Sequence, residues 1–589
     1  MQSNRRMPSW AAALIGLVSG MVAVGFSLLV AGLVNPSAFP VVAVGDSAVD
    51  LTPAPLKEWA IRTFGENDKV VLIGGILVVM ALLAALLGLA AARDVRYGLA
   101  GLAAFGLLGV VAVLTRPGAG VTDLLPTVLG VGAGMLALHR LLRRALVPAD
   151  DLHHTLRESP PAPRPEPSPA LRTVPAGTTP VSATGTVPWT GDRPGVPTSQ
   201  DTGAFAPPVA GASVPQDAGP SVPPVMRAGN DLRAFDRRGL LTGVLGGVAV
   251  AGAAGAAGRL FSGRAEVTAA RSGIALPRPA KPLAPLPAGA DLRIKGLSPF
   301  VTPNNDFYRV DTALVVPQVD PRDWTLTIHG LVDRPVELTF ADLMKRAVTE
   351  ADVTLCCVSN EIGGPYIGNA RWLGVGLAGV LRDAGVQRGA DMLLSTSADG
   401  WTAGTPADVV MDGRDALLAF AMNGEALPVD HGFPVRQVVP GLYGYVSATK
   451  WVTEIKVTRF DRDEGYWTPR GWSARGPIKT QSRIDLPAAG SSVPAGRTAV
   501  AGVAWAQHKG VDAVEVRIDA GPWRQARLAE APTADTWRQW VLDDWDATPG
   551  SHTIEVRATD ATGYTQTADR APIAPDGATG RHTVRVEVT

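Results

Sequence analysis

The chain has 589 residues, enough for several domains, and its 54 basic side chains balance 54 acidic ones. That balance argues neither for nor against a nucleic-acid partner, and with no basic stripe interleaved with aromatics none is expected. Charged residues make up only 18% of the chain, low for a soluble protein, and the deficit falls in the first 145 residues. There, residues 10–34 form an uncharged apolar run long enough to cross a bilayer, and further runs cover about 70–92, 98–114 and 121–139. None has the polar face that a soluble helical bundle requires. Arg5 and Arg6, then Arg93 and Arg96, then Arg140, Arg143 and Arg144 lie at the run boundaries. The positive-inside rule puts all three clusters in the cytoplasm, so residues 1–145 are predicted to form four transmembrane helices with both ends inside. Residues 146–232 are rich in Pro, Ser, Thr and Gly and lack hydrophobic periodicity, which predicts a disordered cytoplasmic linker.

Asp236-Arg237-Arg238-Gly239-Leu240-Leu241 then opens a Gly/Ala-rich, mildly apolar stretch to about residue 258. Paired arginines before such a stretch resemble a twin-arginine export signal; an ordinary stop-transfer flank is the alternative. Residues 233–260 are read as this signal and a fifth span, taking the chain out of the cytoplasm. Ala253, Ala254 and Ala257 offer small residues to a signal peptidase, but retention as an anchor is the favoured reading. Beyond it, residues 293–460 alternate short β-type runs, such as Trp324–His329 and Trp451–Val457, with helix-like stretches near 340–346 and 376–384, an α+β pattern. Residues 494–589 are β throughout. Val511–Ile518 and His552–Ala558 alternate cleanly between turn sequences, which predicts an Ig-like β-sandwich.

The only two cysteines stand side by side in Thr354-Leu355-Cys356-Cys357-Val358-Ser359-Asn360. Neighbouring Cα atoms lie about 3.8 Å apart, below the usual disulfide range, so these thiols invite a ligand role. A thiolate is a soft metal ligand. Met422-Asn423-Gly424, His431-Gly432-Phe433-Pro434-Val435-Arg436, Pro440-Gly441 and Lys450-Trp451 follow, supplying an imidazole, a guanidinium and an ammonium that suit an anion. In this order the elements resemble the sulfite oxidase family of molybdenum enzymes, whose cysteine element reads Thr-Leu-x-Cys-x-x-Asn. The resemblance covers roughly residues 295–589. It implies a molybdopterin-binding oxidoreductase domain over 290–475 and an Ig-like dimerisation domain over 476–589.

The resemblance also implies residue roles. Cys357, rather than Cys356, becomes the molybdenum ligand, a buried structural cysteine being the alternative. His431, Arg436, Thr449 and Lys450 become cofactor contacts, with Lys450 on a phosphate. Asp399, in Ser-Ala-Asp-Gly-Trp, resembles a loop aspartate near the pterin, or is a plain turn aspartate. Asn304-Asn305-Asp306-Phe307-Tyr308-Arg309-Val310-Asp311 partly matches a Phe-x-x-Arg-Asn-His segment, so Arg309 would face substrate or pterin unless it is merely salt-bridged. Two departures stand out. The segment between Pro440 and Lys450 is one residue longer than in familiar members. Trp472, in Tyr466-Trp467-Thr468-Pro469-Arg470-Gly471-Trp472, takes the position of the active-site tyrosine and brings no phenolic hydroxyl; Tyr466 and Tyr445 are candidate substitutes.

The expected protein is thus a membrane-tethered molybdopterin-dependent oxidoreductase. It would move an oxygen atom to or from a small-molecule substrate outside the cytoplasm and exchange electrons with a separate partner such as a cytochrome. Export of a folded, cofactor-loaded domain gives the twin-arginine signal its purpose. A sulfoxide reductase of the same fold and a non-catalytic membrane scaffold are the alternatives. The predicted spans hold one histidine, His139, so no haem is expected in this chain. Membrane lipid and, through the C-terminal domain, a second copy of the chain complete the expected partners.

Overall fold

The protein's computed structural model describes residues 7–53, 56, 59, 63, 64, 68–116, 119–148, 233–280 and 282–589. Arg5, Arg6 and most of the predicted linker lie outside the described residues. Five helical segments among the described residues are long and apolar enough to cross a membrane. They are built on α1 (Ser9–Val34), α3 (Asp68–Arg93), α4 (Val95–Leu114), α5 (Leu125–Ala145) and α6 (Arg237–Leu260). A twelve-residue helix absent from the sequence reading, α2 (Pro40–Leu51), follows α1. Proline at its first position suits a helix start, and its length is too short to span. Asp94 and Asp236 cap α4 and α6, accepting from the backbone N–H of Arg96 at 2.8 Å and Arg238 at 2.9 Å.

Small residues set the helix directions. Gly25 of α1 abuts Ala251 of α6, and Gly32 abuts Gly258; a Cβ on either glycine would fall 2.6 Å or closer to a carbonyl oxygen of α6. Matching residues rise together, so α1 and α6 run parallel at backbone contact. Gly16 meets Gly88 while Gly20 meets Ala84, so α3 runs the other way. The Asp236 N–H donates to the Ala145 carbonyl at 3.1 Å, joining the end of α5 to the start of α6. The Arg93/Arg96, Arg140/Arg143/Arg144 and Arg237/Arg238 clusters therefore share one end of the bundle. Leu146–Pro148 and Arg233–Phe235 belong to a second unit. In it β1 (Leu146–Pro148) pairs antiparallel with β2 (Arg233–Phe235), so the region predicted as linker begins with an ordered strand. Apolar Leu146 and Phe235 are register partners in that ladder.

After α6 comes α7 (Arg264–Ser272), held by Arg271, which donates to the Leu427 carbonyl at 2.7 Å and pairs with Glu425 at 2.8 Å. The α+β region then runs β3 (Thr325–Gly330), β4 (Val336–Thr339), α8 (Phe340–Met344), β5 (Val348–Cys356), β6 (Ile367–Gly376), α9 (Leu377–Ala384), β7 (Met392–Ser397), β8 (Thr402–Pro406), α10 (Ala407–Met411), β9 (Leu417–Met422), β10 (Glu425–Ala426), β11 (Arg436–Val438) and β12 (Val452–Thr458). One sheet has the order β4-β3-β12-β7-β8; the other has β10-β9-β6-β5, with β11 also on β9. Leu-Leu-Ala-Phe-Ala-Met of β9 is buried on both faces, as an uninterrupted apolar run predicts. The core gathers Trp324, Leu326, Ile328, Phe420, Val452 and Ile455.

The last region holds β13 (Gln481–Leu486), β14 (Ser492–Val493), β15 (Gly496–Trp505), β16 (Val511–Ile518), β17 (Arg524–Gln525), β18 (Arg527–Leu528), β19 (Arg538–Ala547), β20 (Gly550–Asp560) and β21 (Thr583–Val588). Two sheets, β13-β15-β19-β18 and β14-β21-β20-β16-β17, close on Val514, Val516, Trp540, Ile554, Val556 and Val586. This sandwich docks on the cysteine strand. The Thr354 hydroxyl accepts from the Trp537 N–H at 2.7 Å, its N–H donates to the Asp535 carbonyl at 2.9 Å, and its carbonyl accepts from Gln507 Nε2 at 3.1 Å.

Asp352 of β5 and Arg371 of β6 are register partners and form a two-pronged ion pair at 2.8 Å, with the carboxylate side chain 2% exposed. Arg371→Ala would strand a buried charge and should cost about 3 kcal/mol, read from the unfolding midpoint. Asp352→Asn, which leaves unpaired only a guanidinium that still reaches water, with 26% of its side chain exposed, should cost less.

Candidate active site

The cysteine element ends β5, where side chains alternate between faces. Cys356 is 2% exposed and packs in the hydrophobic core. Cys357 lies just past the strand end, where its Sγ accepts from the Ser359 N–H at 3.4 Å. Burial pushes both thiols up. The Asn360 side-chain oxygen accepts from the Tyr366 N–H at 2.8 Å, folding the loop beside Cys357.

In Met422-Asn423-Gly424, Asn423 and Gly424 prove to be the two-residue turn of the β9–β10 hairpin, where Met422 pairs with Glu425. Asn423 and Gly424 both adopt positive φ, the geometry that favours Asn-Gly. The Asn423 amide donates to the Thr302 carbonyl at 2.9 Å and to Asn304 Oδ1 at 2.8 Å. The motif therefore anchors the 302–311 segment rather than presenting a reactive group. The Asn304 carbonyl in turn accepts from His431 Nε2 at 3.1 Å.

A carbonyl can only accept, so Nε2 carries the histidine's proton and Nδ1 presents a lone pair. Nδ1 is buried with no hydrogen-bond partner among the described residues. Burial, with Lys450 and Arg436 nearby, lowers the His431 pKa to about 3, so the ring stays neutral. Arg436 opens β11 and is 3% exposed. Its guanidinium lies 5.0 Å from the Trp372 ring centroid and reaches only carbonyls, those of His431 at 3.1 Å, Ala448 at 3.4 Å and Gln437 at 3.5 Å. Among the described residues no carboxylate pairs with it. Burial lowers its pKa to about 10, which still leaves it charged.

Lys450 is 8% exposed. Its neighbour Trp451 is fully buried, donates to the Val429 carbonyl at 2.9 Å, and pins the turn that aims Lys450 inward. Lys450 Nζ meets Asp311 at 2.9 Å and the Asp430 carbonyl at 3.1 Å. Gly432, at φ +110°, lets the two loops touch; a Cβ there would meet Arg436 Cβ at 3.0 Å and Lys450 Cα at 3.1 Å. Arg309 binds Asp311 at 2.9 Å, so the salt-bridged alternative describes its present contacts. Asp311, given no role in the sequence reading, is the acid on which these cations converge; three cations hold its carboxyl far below the usual range against the opposing effect of burial.

The remaining candidates divide. The Thr449 hydroxyl is committed to Ser395 at 2.6 Å. Asp399 accepts from the Trp401 N–H at 3.1 Å, the geometry of a turn aspartate, although the neighbouring Ala398 N–H bonds the Trp451 carbonyl. Trp472 sits in an aromatic cluster, 5.9 Å from Tyr445 and 6.0 Å from Trp467 between ring centroids. The Tyr445 hydroxyl donates to the Ser473 carbonyl at 2.7 Å, and the Tyr466 ring lies under Arg470 at 3.7 Å. The tyrosine that senses the pocket is one the sequence reading passed over. Tyr308 stacks on Phe307 at 5.2 Å, and its phenol pKa is pushed well up by burial and both cysteines while Arg436 pulls it down. Its place directly before Arg309 was the available signal.

The donor set fits a large anionic organic cofactor that carries its own metal. Among the described residues no group of three or more His, Cys, Asp or Glu is placed to hold a bare ion. A lone thiol, a buried unpaired cation and an orphaned acceptor nitrogen are what such a cofactor would complete.

Burial lowers the Lys450 pKa to about 8, against 10.5 for an ordinary lysine. Between those values the folded state binds fewer protons than the unfolded chain, so this group's contribution to stability rises with pH across that window. Anion binding has the opposite sign, because the ammonium is lost as pH climbs through about 8. Uptake of a phosphate monoester by the protein should therefore weaken between about pH 7 and pH 9, and Lys450→Arg should flatten the profile, as followed by equilibrium dialysis.

Residues 313–467 match the family described as "Oxidoreductase molybdopterin binding domain". Chicken (Gallus gallus) sulfite oxidase is 31% identical over 295 residues, covering 42% of this chain and 63% of that protein. The chain thus spans less than two thirds of the length of this relative. The uncharacterized oxidoreductase YuiH of Bacillus subtilis is 36% identical over 157 residues, covering 27% of this chain and 76% of that protein. A solved structure of the sulfane dehydrogenase SoxCD from Paracoccus pantotrophus aligns with 27% identity and a TM-score of 0.43, covering 49% of this chain and 82% of that one. Identity of this order, sustained over three quarters of the bacillus protein and shared with the vertebrate enzyme, shows that the chain belongs to the sulfite oxidase family of molybdopterin-dependent oxidoreductases.

Proposed function

We propose that this protein is a membrane-tethered oxidoreductase that transfers an oxygen atom to or from a small substrate outside the cytoplasm. One observation carries the reading: among the described residues, a buried Arg436 without a carboxylate and a His431 Nδ1 without a donor stand beside Lys450, whose charge also reaches Cys357. Arg436 and Lys450 would hold the anionic groups of molybdopterin, His431 Nδ1 would accept one of its N–H groups, and the Cys357 thiolate would ligate the metal. When bound, the molybdenum centre supplies the two-electron change and the site of oxygen exchange. Arg309, a third exposed on its side chain, would orient an anionic or polar substrate, and the surrounding aromatic side chains would limit water. Electrons would pass to a separate partner such as a cytochrome, and the sandwich would offer a face for a second copy of the chain.

Membrane tethering is supported by five long apolar segments. The orientation is supported by the arginine clusters at one bundle end, which the positive-inside rule assigns to the cytoplasm. The α+β region follows α6 from the other end. Close packing of α6 on α1 favours retention of that helix as an anchor over cleavage.

Cys357→Ser should abolish molybdenum retention and activity, as measured by metal per chain and turnover, while Cys356→Ser should cost about 1 kcal/mol of stability and keep the metal. Equal loss in both would sink the assignment. Because Trp472 brings no phenol, kcat/KM for sulfite should lie far below the efficient range. Trp472→Tyr should raise it or leave it unchanged; rapid sulfite turnover slowed by that substitution would show the position had been misread.

A further inference from the structure

The pocket's buried acid is shared with the membrane bundle. Asp311, with 7% of its side chain exposed, receives Lys450 Nζ and Arg309 Nε on Oδ2, each at 2.9 Å, and Lys69 Nζ on Oδ1 at 2.5 Å. Lys69 also donates to the Ala313 carbonyl at 3.0 Å. It stands in the first turn of α3, and no other charged residue follows in that helix until Arg93. An ordinary lysine at a helix end extends toward water and gains little from a surface ion pair. Here the partner is a nearly buried carboxylate that already binds two pocket cations.

Charge balance gives the contact its consequence. Lys69, Lys450 and Arg309 set three positive charges on the single nearly buried carboxylate of Asp311. Without Lys69 the carboxylate would act on Lys450 and Arg309 alone. It would offset their field and draw the Lys450 ammonium away from an incoming anion.

We propose that Lys69 is a positioning residue of the cofactor pocket, which by engaging Asp311 keeps Lys450 and Arg309 available to the anionic cofactor and so makes cofactor retention depend on the second membrane helix. The proposal rests on the molybdopterin reading above. It is tested on the full chain purified in detergent, by following molybdenum and oxidised-pterin fluorescence per chain during prolonged dialysis. Lys69→Ala should lose cofactor about tenfold faster than the parent, a modest pairwise coupling expressed as a rate. Lys69→Arg should retain it. The double variant Lys69→Ala/Asp311→Asn should lose cofactor no faster than Asp311→Asn alone, because Lys69 acts through the Asp311 charge. A Lys69→Ala protein that holds cofactor as the parent does overturns the proposal. So does a Lys69→Ala loss that Asp311→Asn leaves undiminished, since that pattern marks a contact that merely braces the two regions. A parent chain purified without molybdopterin, and indifferent to Cys357→Ser, instead overturns the family-based reading and this inference with it.

Discussion

A guanidinium held away from water with only carbonyls for company is several kcal/mol out of balance, and the arrangement around Arg436 exists on those terms. Trp372 lies against its face, three backbone oxygens take its N–H groups, and no carboxylate neutralises it among the described residues. Lys450, 8% exposed, adds a second buried cation. The pocket is thereby set to a positive potential before any ligand arrives, and a low local dielectric makes that potential strong. An anionic cofactor would relieve the imbalance, which couples its retention to the stability of the domain.

Holding two like charges close requires a rigid frame, and the residues nearest the pocket supply it. Trp451 is buried behind Lys450, Gly432 lets the histidine loop pass against Lys450, and the Asn423-Gly424 turn clamps the segment that carries Tyr308, Arg309 and Asp311. The C-terminal sandwich contributes at a distance. Its Trp537 and Gln507 bond Thr354, three residues before Cys357, so the strand that delivers the thiol is fixed from both sides. Several elements that look reactive in the sequence are thus supports for the few side chains proposed to hold the cofactor.

The apolar helical half enters the same network through one side chain. Backbone-close packing among α1, α3 and α6 leaves little freedom for the helices to slide past one another. Lys69 therefore reaches Asp311 from a stiff support. Cation and carboxylate come from regions of opposite polarity, and their pair forms where both meet the pocket's edge.

By itself the sequence determined the elements whose signal is local. Long uncharged apolar runs can only be satisfied as helices in a bilayer or a core, and paired arginines marked the start of a fifth, milder stretch, so the five long helices were legible. Strand alternation marked Val511–Ile518, and the order of short elements from Thr354 to Trp451 marked the family and put Cys357, His431, Arg436 and Lys450 forward together. Tertiary structure decided what depends on residues far apart in the chain. It assigned Asn423 to a turn, gave the Thr449 hydroxyl to Ser395, set Trp472 among aromatics, and brought Tyr308 into the electrostatic reach of Cys357 and Arg436. It also joined Lys69 to Asp311 across 242 positions. No local pattern encodes such a pair, because a carboxylate's partner is set by where the chain folds back, while periodicity and motif report only on immediate neighbours.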